Sequence, residues 1–118
     1  MTGYRNLEVW KRAIDLAISV YAFTRTDGIK SDFGLVDQMR RSAVSIASNI
    51  AEGDERDTAK DTIRFFYIAK ASTAELSTQI EIAKAVHSLN HEASHRLIAE
   101  CDALARMLSA LIKHRTPK

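Results

Sequence analysis

The residue spacing with the most specific chemistry occurs late in the chain, in the string His91-Glu92-Ala93-Ser94-His95. On a helix, histidines four residues apart face one side and can bind zinc, while the glutamate between them acts as a general base. The sequence therefore raises a zinc enzyme as a remote alternative. Against it, His91 falls at the start of the predicted helix, and the helix dipole alone explains Glu92 there. The pattern supplies no third ligand, although three side chains are candidates: His87, Glu100 and His114.

Other catalytic patterns are weaker. Glu92 and His95 match one half of the motif that binds two iron ions in helical bundles, but that site needs a second such motif and two further inward glutamates. Cys101 lies among apolar positions, where packing is the expected role of a cysteine. The sequence contains no glycine-rich phosphate loop and no serine-nucleophile motif. We therefore predict a protein that is not an enzyme, with no cofactor and no bound metal.

Basic side chains are the candidates for binding a ligand. Five of them flank the break after the second predicted helix, and each is a candidate phosphate contact: Arg40, Arg41, Arg56, Lys60 and Arg64. Arginine and lysine neutralise phosphates and release counterions, and the free N–H groups at the start of the third helix also favour an anion. A salt-bridged surface is the alternative, because acidic residues occupy the same stretch: Asp37, Glu52, Asp54, Glu55, Asp57 and Asp61. No aromatic residue alternates with these cations, so a platform for stacking single-stranded bases is not predicted.

Four helices separated by short polar breaks must carry these side chains. Apolar residues recur every three or four positions over about residues 7–24, 35–52, 58–87 and 91–114. Asp57 or Thr58, and later Asn90, are suited to N-capping, and Gly53 is placed for a left-handed C-terminal cap. Long amphipathic helices with short connections favour antiparallel neighbours. The sequence therefore predicts an all-α, antiparallel up-down-up-down four-helix bundle.

Further local patterns bear on packing. The first helix carries two apolar seams, which predicts contact with the bundle interior and with a further neighbour such as a second subunit. The second helix carries a line of small polar side chains at Gln38, Ser42, Ser45 and Asn49. These either bond back to the preceding turn within close helix packing, or form a buried polar network or a polar surface. Phe33 is expected to pack against the bundle, and the basic tail 113–118 is expected to fray.

Composition excludes several classes of protein. The chain has 118 residues, of which 46% are hydrophobic, enough for one domain (1–118) and too little for two. A single cysteine excludes a disulfide framework and a cysteine-built zinc site. The chain shows no apolar run near the ~20 residues of a membrane span, and its start lacks the apolar segment of a signal peptide. We expect a soluble, cytoplasmic protein whose net charge of +2 permits a nucleic-acid partner without requiring one.

The order of several sequence blocks resembles one known family. The first helix opens with Leu7-Glu-Val-Trp10-Lys11, the second contains the long run from Gly34 to Gly53, and the third contains Phe65-Phe66-Tyr67-Ile68-Ala69 and Ala74-Glu75-Leu76. From about Tyr4 to Ile112, the chain is similar to the bacterial four-helix bundle proteins encoded in intervening sequences of large-subunit ribosomal RNA genes. A related branch comprises the accessory variability determinants of diversity-generating retroelements.

This resemblance implies a homopentamer in which the bundles form a ring around a central channel. The retroelement branch binds nucleic acid and a reverse transcriptase, largely through basic surface, whereas most other members have no established activity. The present chain is less basic than that branch, and it has Ala47 and Ala71 where the family often has proline and glycine. The resemblance thus implies nucleic-acid binding, with or without a protein partner such as a reverse transcriptase. A protein-binding scaffold with no nucleic-acid role is the main alternative.

Overall fold

In the computed structural model, which describes residues 3–118, four long helices make up most of the chain. A 3-10 turn at Gly3–Asn6 leads into α1 (Glu8–Thr24), which is followed by α2 (Phe33–Asp54), α3 (Ala59–His87) and α4 (His91–Arg115). No strand occurs between residues 3 and 118. The all-α prediction with four helices is confirmed, and the helix ends differ from the predicted ones by no more than about two residues, as is usual for helix boundaries.

The helices stand around one shared core, and each packs against two neighbours in the order α1, α2, α3, α4. Helices α2 and α3 run antiparallel, since Ser42 bonds to Glu75 while Ser45, further along α2, bonds to the earlier Ser72 of α3. The result is a rod with principal extents of 47 × 23 × 21 Å. Over the described range 3–118, none of the helices combines the length and apolar content needed to cross a bilayer.

The two apolar seams of α1 have different environments. Val9, Ala13, Leu16 and Val20 are buried in the core. The other seam is only half-buried at Trp10, Ile14 and Ala17, and it ends at the exposed Tyr21. One side of the wide apolar arc of this helix is therefore buried in the bundle interior, and the other side is partly exposed to solvent.

Three helices begin with a side-chain cap. Asp32 accepts a hydrogen bond from the backbone N–H of Leu35 (3.2 Å), Thr58 from that of Asp61 (3.2 Å) and Asn90 from that of Ala93 (2.9 Å). Each cap satisfies an N–H group that has no partner within its helix. Caps at Thr58 and Asn90 were predicted from the sequence, whereas the cap at Asp32 starts α2 earlier than predicted.

The prediction that Gly53 caps the end of α2 is wrong. Helix α2 continues through Gly53 to Asp54, and the backbone of Gly53 does not adopt a positive φ. A Cβ atom at this position would lie 2.9 Å from the ring of Phe66 and 3.0 Å from Cβ of Phe65. Glycine is therefore required here by the close approach of α3. The left-handed cap occurs instead at Ser88, after α3, where φ is 51°.

Two expectations about the helix ends are also wrong. Phe33 is 80% exposed, because the cap at Asp32 makes it the first residue of α2, on the solvent side. The basic tail is helical to Arg115, whose guanidinium donates to Asp54 over 2.8 Å, and the hydroxyl of Thr116 bonds to the carbonyl of Ile112. The bond to Asp54 holds the end of α4 against the bundle, and the bond of Thr116 closes the last turn of the same helix.

The polar line on α2 lies along its contact with α3. The hydroxyl of Ser42 donates to Glu75 (3.0 Å), and the hydroxyls of Ser45 and Ser72 lie 2.9 Å apart. Asn49 bonds back to the carbonyl and the hydroxyl of Ser45. Of the two interpretations, cross-helix bonding accounts for the two serines and back-bonding for the asparagine, whereas Gln38 remains exposed.

Candidate nucleic-acid interface

The five predicted cations form two separate groups. Arg56, Lys60 and Arg64 lie around the turn between α2 and α3, whereas Arg40 and Arg41 lie in the first half of α2. At about 1.5 Å per residue, Arg41 and Arg56 are roughly 20 Å apart along the axis of α2. The sequence placed all five around one break, but the length of the helix keeps them apart.

The group at the turn is organised around one aromatic ring. The guanidinium carbons of Arg56 and Arg64 lie 4.4 Å and 4.5 Å from the centre of the Phe65 ring. We call these three residues the Arg–Phe–Arg stack. The half-buried Phe65 is fixed by its position in the first turns of α3, so it orients two planar cations near the N-terminal end of that helix. Such planar guanidinium groups suit bidentate contact with phosphate.

Each arginine of the stack also has an acidic neighbour on its own side of the turn. Arg56 pairs with Glu52 at 2.5 Å, and Arg64 with Asp61 at 3.7 Å. All four side chains are 40–59% exposed, and exposed pairs of this kind contribute only about 0–1 kcal/mol each. A phosphate can therefore replace either carboxylate at small cost. Lys60 is exposed and forms no ion pair within residues 3–118.

The second group is tied more closely to its own bundle. Arg40 donates to the hydroxyl of Thr24 over 2.9 Å and lies 4.5 Å from the centre of the Tyr21 ring, both on α1. Arg41 is exposed and pairs with Asp37 at 2.8 Å. Arg40 therefore helps to join α1 to α2, and Arg41 is the more accessible of the two.

The observation that no aromatic residue alternates with these cations in the sequence is corrected by the structure, because a ring lies beside cations of both groups. Phe65 lies between Arg56 and Arg64, and Tyr21 lies under Arg40. The ring of Phe65 is covered by arginine and is only half-exposed, so it organises cations and does not present an open face to a base.

Sequence reasoning missed further cations at the same end of the rod. The last turn of α4 carries Lys113, His114 and Arg115, and Arg115 bonds to Asp54 at the end of α2. This bond places the basic end of α4 next to the turn that holds the Arg–Phe–Arg stack. The available signal in the sequence is the basic composition of residues 113–118.

The histidine string lies at the opposite end of the rod. His91 and His95 are exposed, with ring centroids 5.9 Å apart and ring planes inclined by 21°. None of the three candidate third ligands joins them. His87 bonds to Asp32 (2.8 Å), Glu100 forms a two-point pair with Arg12, and His114 lies roughly 28 Å further along α4. Within residues 3–118, no group of three or more histidine, cysteine or acidic side chains is arranged to hold a metal ion.

Cys101 has the packing role that its apolar neighbourhood predicts. Its side chain is 1% exposed, and burial raises the pKa of the thiol to about 12. A thiol in this environment stays protonated at neutral pH and is a poor nucleophile.

The chain is similar in fold to a solved structure and in sequence to a family of proteins. No curated protein matches the chain. A solved structure superposes with a TM-score of 0.81 at 21% sequence identity, covering 89% of this chain and 98% of the other. It is described as a protein of unknown function from the S23 ribosomal protein family of Bacteroides thetaiotaomicron, and the likeness shows the fold. The sequence profile described as "23S rRNA-intervening sequence protein" matches residues 5–110, so the chain belongs to the 23S rRNA-intervening sequence protein family.

Proposed function

We propose that this protein is a non-enzymatic, homo-oligomeric helical bundle that binds nucleic acid through basic surface, as an accessory to a ribosomal RNA element or to a reverse transcriptase. The Arg–Phe–Arg stack is the observation that carries the proposal. It presents two oriented guanidinium groups beside Lys60 and the start of α3, where backbone N–H groups and the helix dipole also favour an anion.

The pairing of these arginines favours exchange with phosphate. Their carboxylate partners lie within three or four residues on exposed surface, so neither pair has the burial that makes an ion pair costly to separate. Phosphate contacts of this kind position a nucleic acid without reading its sequence. We therefore expect binding that depends on backbone charge and shape.

Oligomerisation would multiply a weak contact. Several large apolar side chains of α3 are exposed, including Tyr67, Ile82 (48%) and Val86 (64%). Burying them against a second copy is a natural use of such a surface. In the pentameric ring that the family resemblance implies, five copies of the stack would act on one nucleic acid, and avidity would raise the affinity without any new contact.

The test is a fluorescence-anisotropy titration of labelled structured RNA, duplex DNA and single-stranded DNA. At about 50 mM and 200 mM salt, an assembly that makes six or more phosphate contacts should lose roughly 10³-fold or more in affinity. Arg56→Gln and Arg64→Gln should each weaken binding to all sequences alike and make the salt dependence less steep. Absence of binding at the lower salt would overturn the proposal.

Two further variants locate the surface. Lys30→Gln removes a cation that is also exposed and ion-paired, but in the loop at the opposite end of the rod, so it should leave affinity unchanged. Arg41→Gln removes a paired cation of the second group. If Arg41→Gln weakens binding and the two stack variants do not, the interface is the first half of α2 and not the turn.

A protein-binding scaffold is the second candidate, and two observations favour it. One is the exposed apolar surface of α3. The other is a groove of about 560 Å³ between α1 and α4, lined on its apolar floor by Leu16, Phe23 and Leu97. A preparation that binds none of the nucleic acids, yet retains one protein partner in stoichiometric amount, would support this hypothesis.

A further inference from the structure

Contrary to the sequence-based prediction of no bound metal, we propose that His91 and His95 form a chelating site for one divalent transition-metal ion, with water completing the coordination. The two imidazoles are one helical turn apart, both are exposed, and their ring centroids lie 5.9 Å apart. Two imidazoles that share an ion at about 2.1 Å from each nitrogen have centroids roughly 4.5–5 Å apart, so both side chains must rotate toward each other to bind it.

The turn that carries the pair is held in place. Asn90 caps α4 by accepting from the N–H of Ala93, and the fully buried Ser94 bonds to the carbonyl of Asn90. The spacing of His91 and His95 is therefore set before an ion arrives, and the ion pays little to order its ligands.

Neither ring has to give up a partner in order to bind. Within residues 3–118, His91 and His95 form no hydrogen bond or ion pair, in contrast to His87, which bonds to Asp32. The positive end of the α4 dipole opposes a cation here, but Glu92 in the same turn offsets it. Imidazole donors select ions of the copper, nickel and zinc class over magnesium and calcium, and Cu²⁺ should bind most tightly.

The proposed site is a binding site and not a catalytic centre for hydrolysis. A catalytic zinc centre uses three protein ligands, and the structure brings only two together. Binding should further stabilise the first turn of α4, because His91 and His95 can share an ion only while that turn is helical.

Isothermal titration of the untagged chain with Cu²⁺, Ni²⁺ and Zn²⁺ salts tests the site. We expect one ion per chain, in the order Cu²⁺ tighter than Ni²⁺ and Zn²⁺. His91→Gln and His95→Gln should each weaken binding by at least tenfold. Replacing a side chain that only hydrogen-bonds to a metal ligand already lowers metal affinity 10- to 100-fold. Circular dichroism should show the same helix content in both variants.

His114→Gln is the matched control, because it removes an exposed histidine near the far end of the same helix. It should bind the ions as the unaltered chain does. Three results would overturn the proposal: no saturable binding, loss of affinity in His114→Gln equal to that in His95→Gln, or one ion for every two chains, which would place the ion between copies.

Discussion

The ring of Phe66 is completely buried, and the α-carbon of Gly53 lies directly against it. A methyl group at Gly53 would stand 2.9 Å from Cδ1 and Cε1 of that ring, closer than real side chains approach. The ring cannot easily move away, since it is fully enclosed and Arg115 lies over it at 5.5 Å. One hydrogen atom in the place of a methyl group therefore sets how closely α2 and α3 approach.

Gly53→Ala should lower the free energy of unfolding. Alanine in a helix interior gains about 0.5–1 kcal/mol over glycine, but overpacking a core costs about 1–3 kcal/mol. Because the contacted ring is rigidly held, we expect the clash to dominate, with a net loss of about 1 kcal/mol. Urea unfolding followed by circular dichroism, at fixed protein concentration, measures the change.

Gly34→Ala is the control for helix propensity. Gly34 is also within α2, but a Cβ there would meet nothing within 4 Å. This variant should be neutral or slightly more stable. Equal stabilisation of both variants would show that the contact of Gly53 with Phe66 does not limit the approach of α3.

Asp32 joins two helix ends. Its carboxylate caps α2 through the N–H of Leu35 and also bonds to Nε2 of His87, the last residue of α3 (2.8 Å). These two bonds, chiefly the one with His87, lower the pKa of Asp32 from its ordinary value. The charged form is therefore the one that stabilises the fold.

Replacing Asp32 by asparagine should reveal this as a pH-dependent difference. Asparagine caps a helix nearly as well as aspartate, so the variant loses mainly the negative charge that Asp32 presents to His87. Above the ordinary aspartate pKa of about 3.9, the unaltered chain should be the more stable. The difference should vanish as pH falls through the lowered folded-state pKa, because both side chains are then neutral. Urea unfolding between about pH 7 and pH 2.5 tests it.

Asp27→Asn provides the comparison. Asp27, in the loop between α1 and α2, is 96% exposed and pairs with Lys30, so this pair should contribute little to stability at any pH. If the Asp27 and Asp32 variants show the same pH profile, then the bond to His87 does not contribute to stability.

The helices follow from local rules, and this explains how much of the fold was predictable. Apolar periodicity located all four, and Thr58 and Asn90 cap their helices by accepting from backbone N–H groups three residues further along the chain. Gly53 was assigned wrongly, because its neighbours Phe65 and Phe66 follow a turn and their approach depends on the packing angle of α3.

The candidate interface was less predictable, because its contacts join different helices. Arg64 and Phe65 are adjacent in sequence, but Arg56 reaches the same ring only through the geometry of the α2–α3 turn. Tyr21 and Arg40 likewise meet only when α1 and α2 pack together. Residue type therefore predicted the cations, whereas their grouping required the arrangement of the bundle.

At the level of the assembly, the exposed apolar surface of α3 leads us to predict the mass of the protein in solution. A pentamer would have about five times the 13.2 kDa of one chain. Ile82→Glu places a charge in that surface and should lower the mass measured by light scattering toward that of one chain. Arg106→Glu introduces the same residue on the exposed side of α4 and should leave the mass unchanged.

A single-chain mass for the unaltered protein would contradict the assembly directly. An unchanged mass in Ile82→Glu would show instead that α3 does not form the contact between copies. The next apolar surface to test would then be the half-exposed seam of α1, at Trp10 and Ile14.

The bond between Arg115 and Asp54 has a practical consequence for anyone who attaches this protein to something else. Gly3 lies beside Asp54 and Glu55, so the two ends of the described chain leave the rod on the same side. A sensor surface, bead or fusion partner joined to either end would crowd the Arg–Phe–Arg stack and leave His91 and His95 pointing away. A tethered chain would therefore give the metal affinity of the free protein, but a nucleic-acid affinity that is too low.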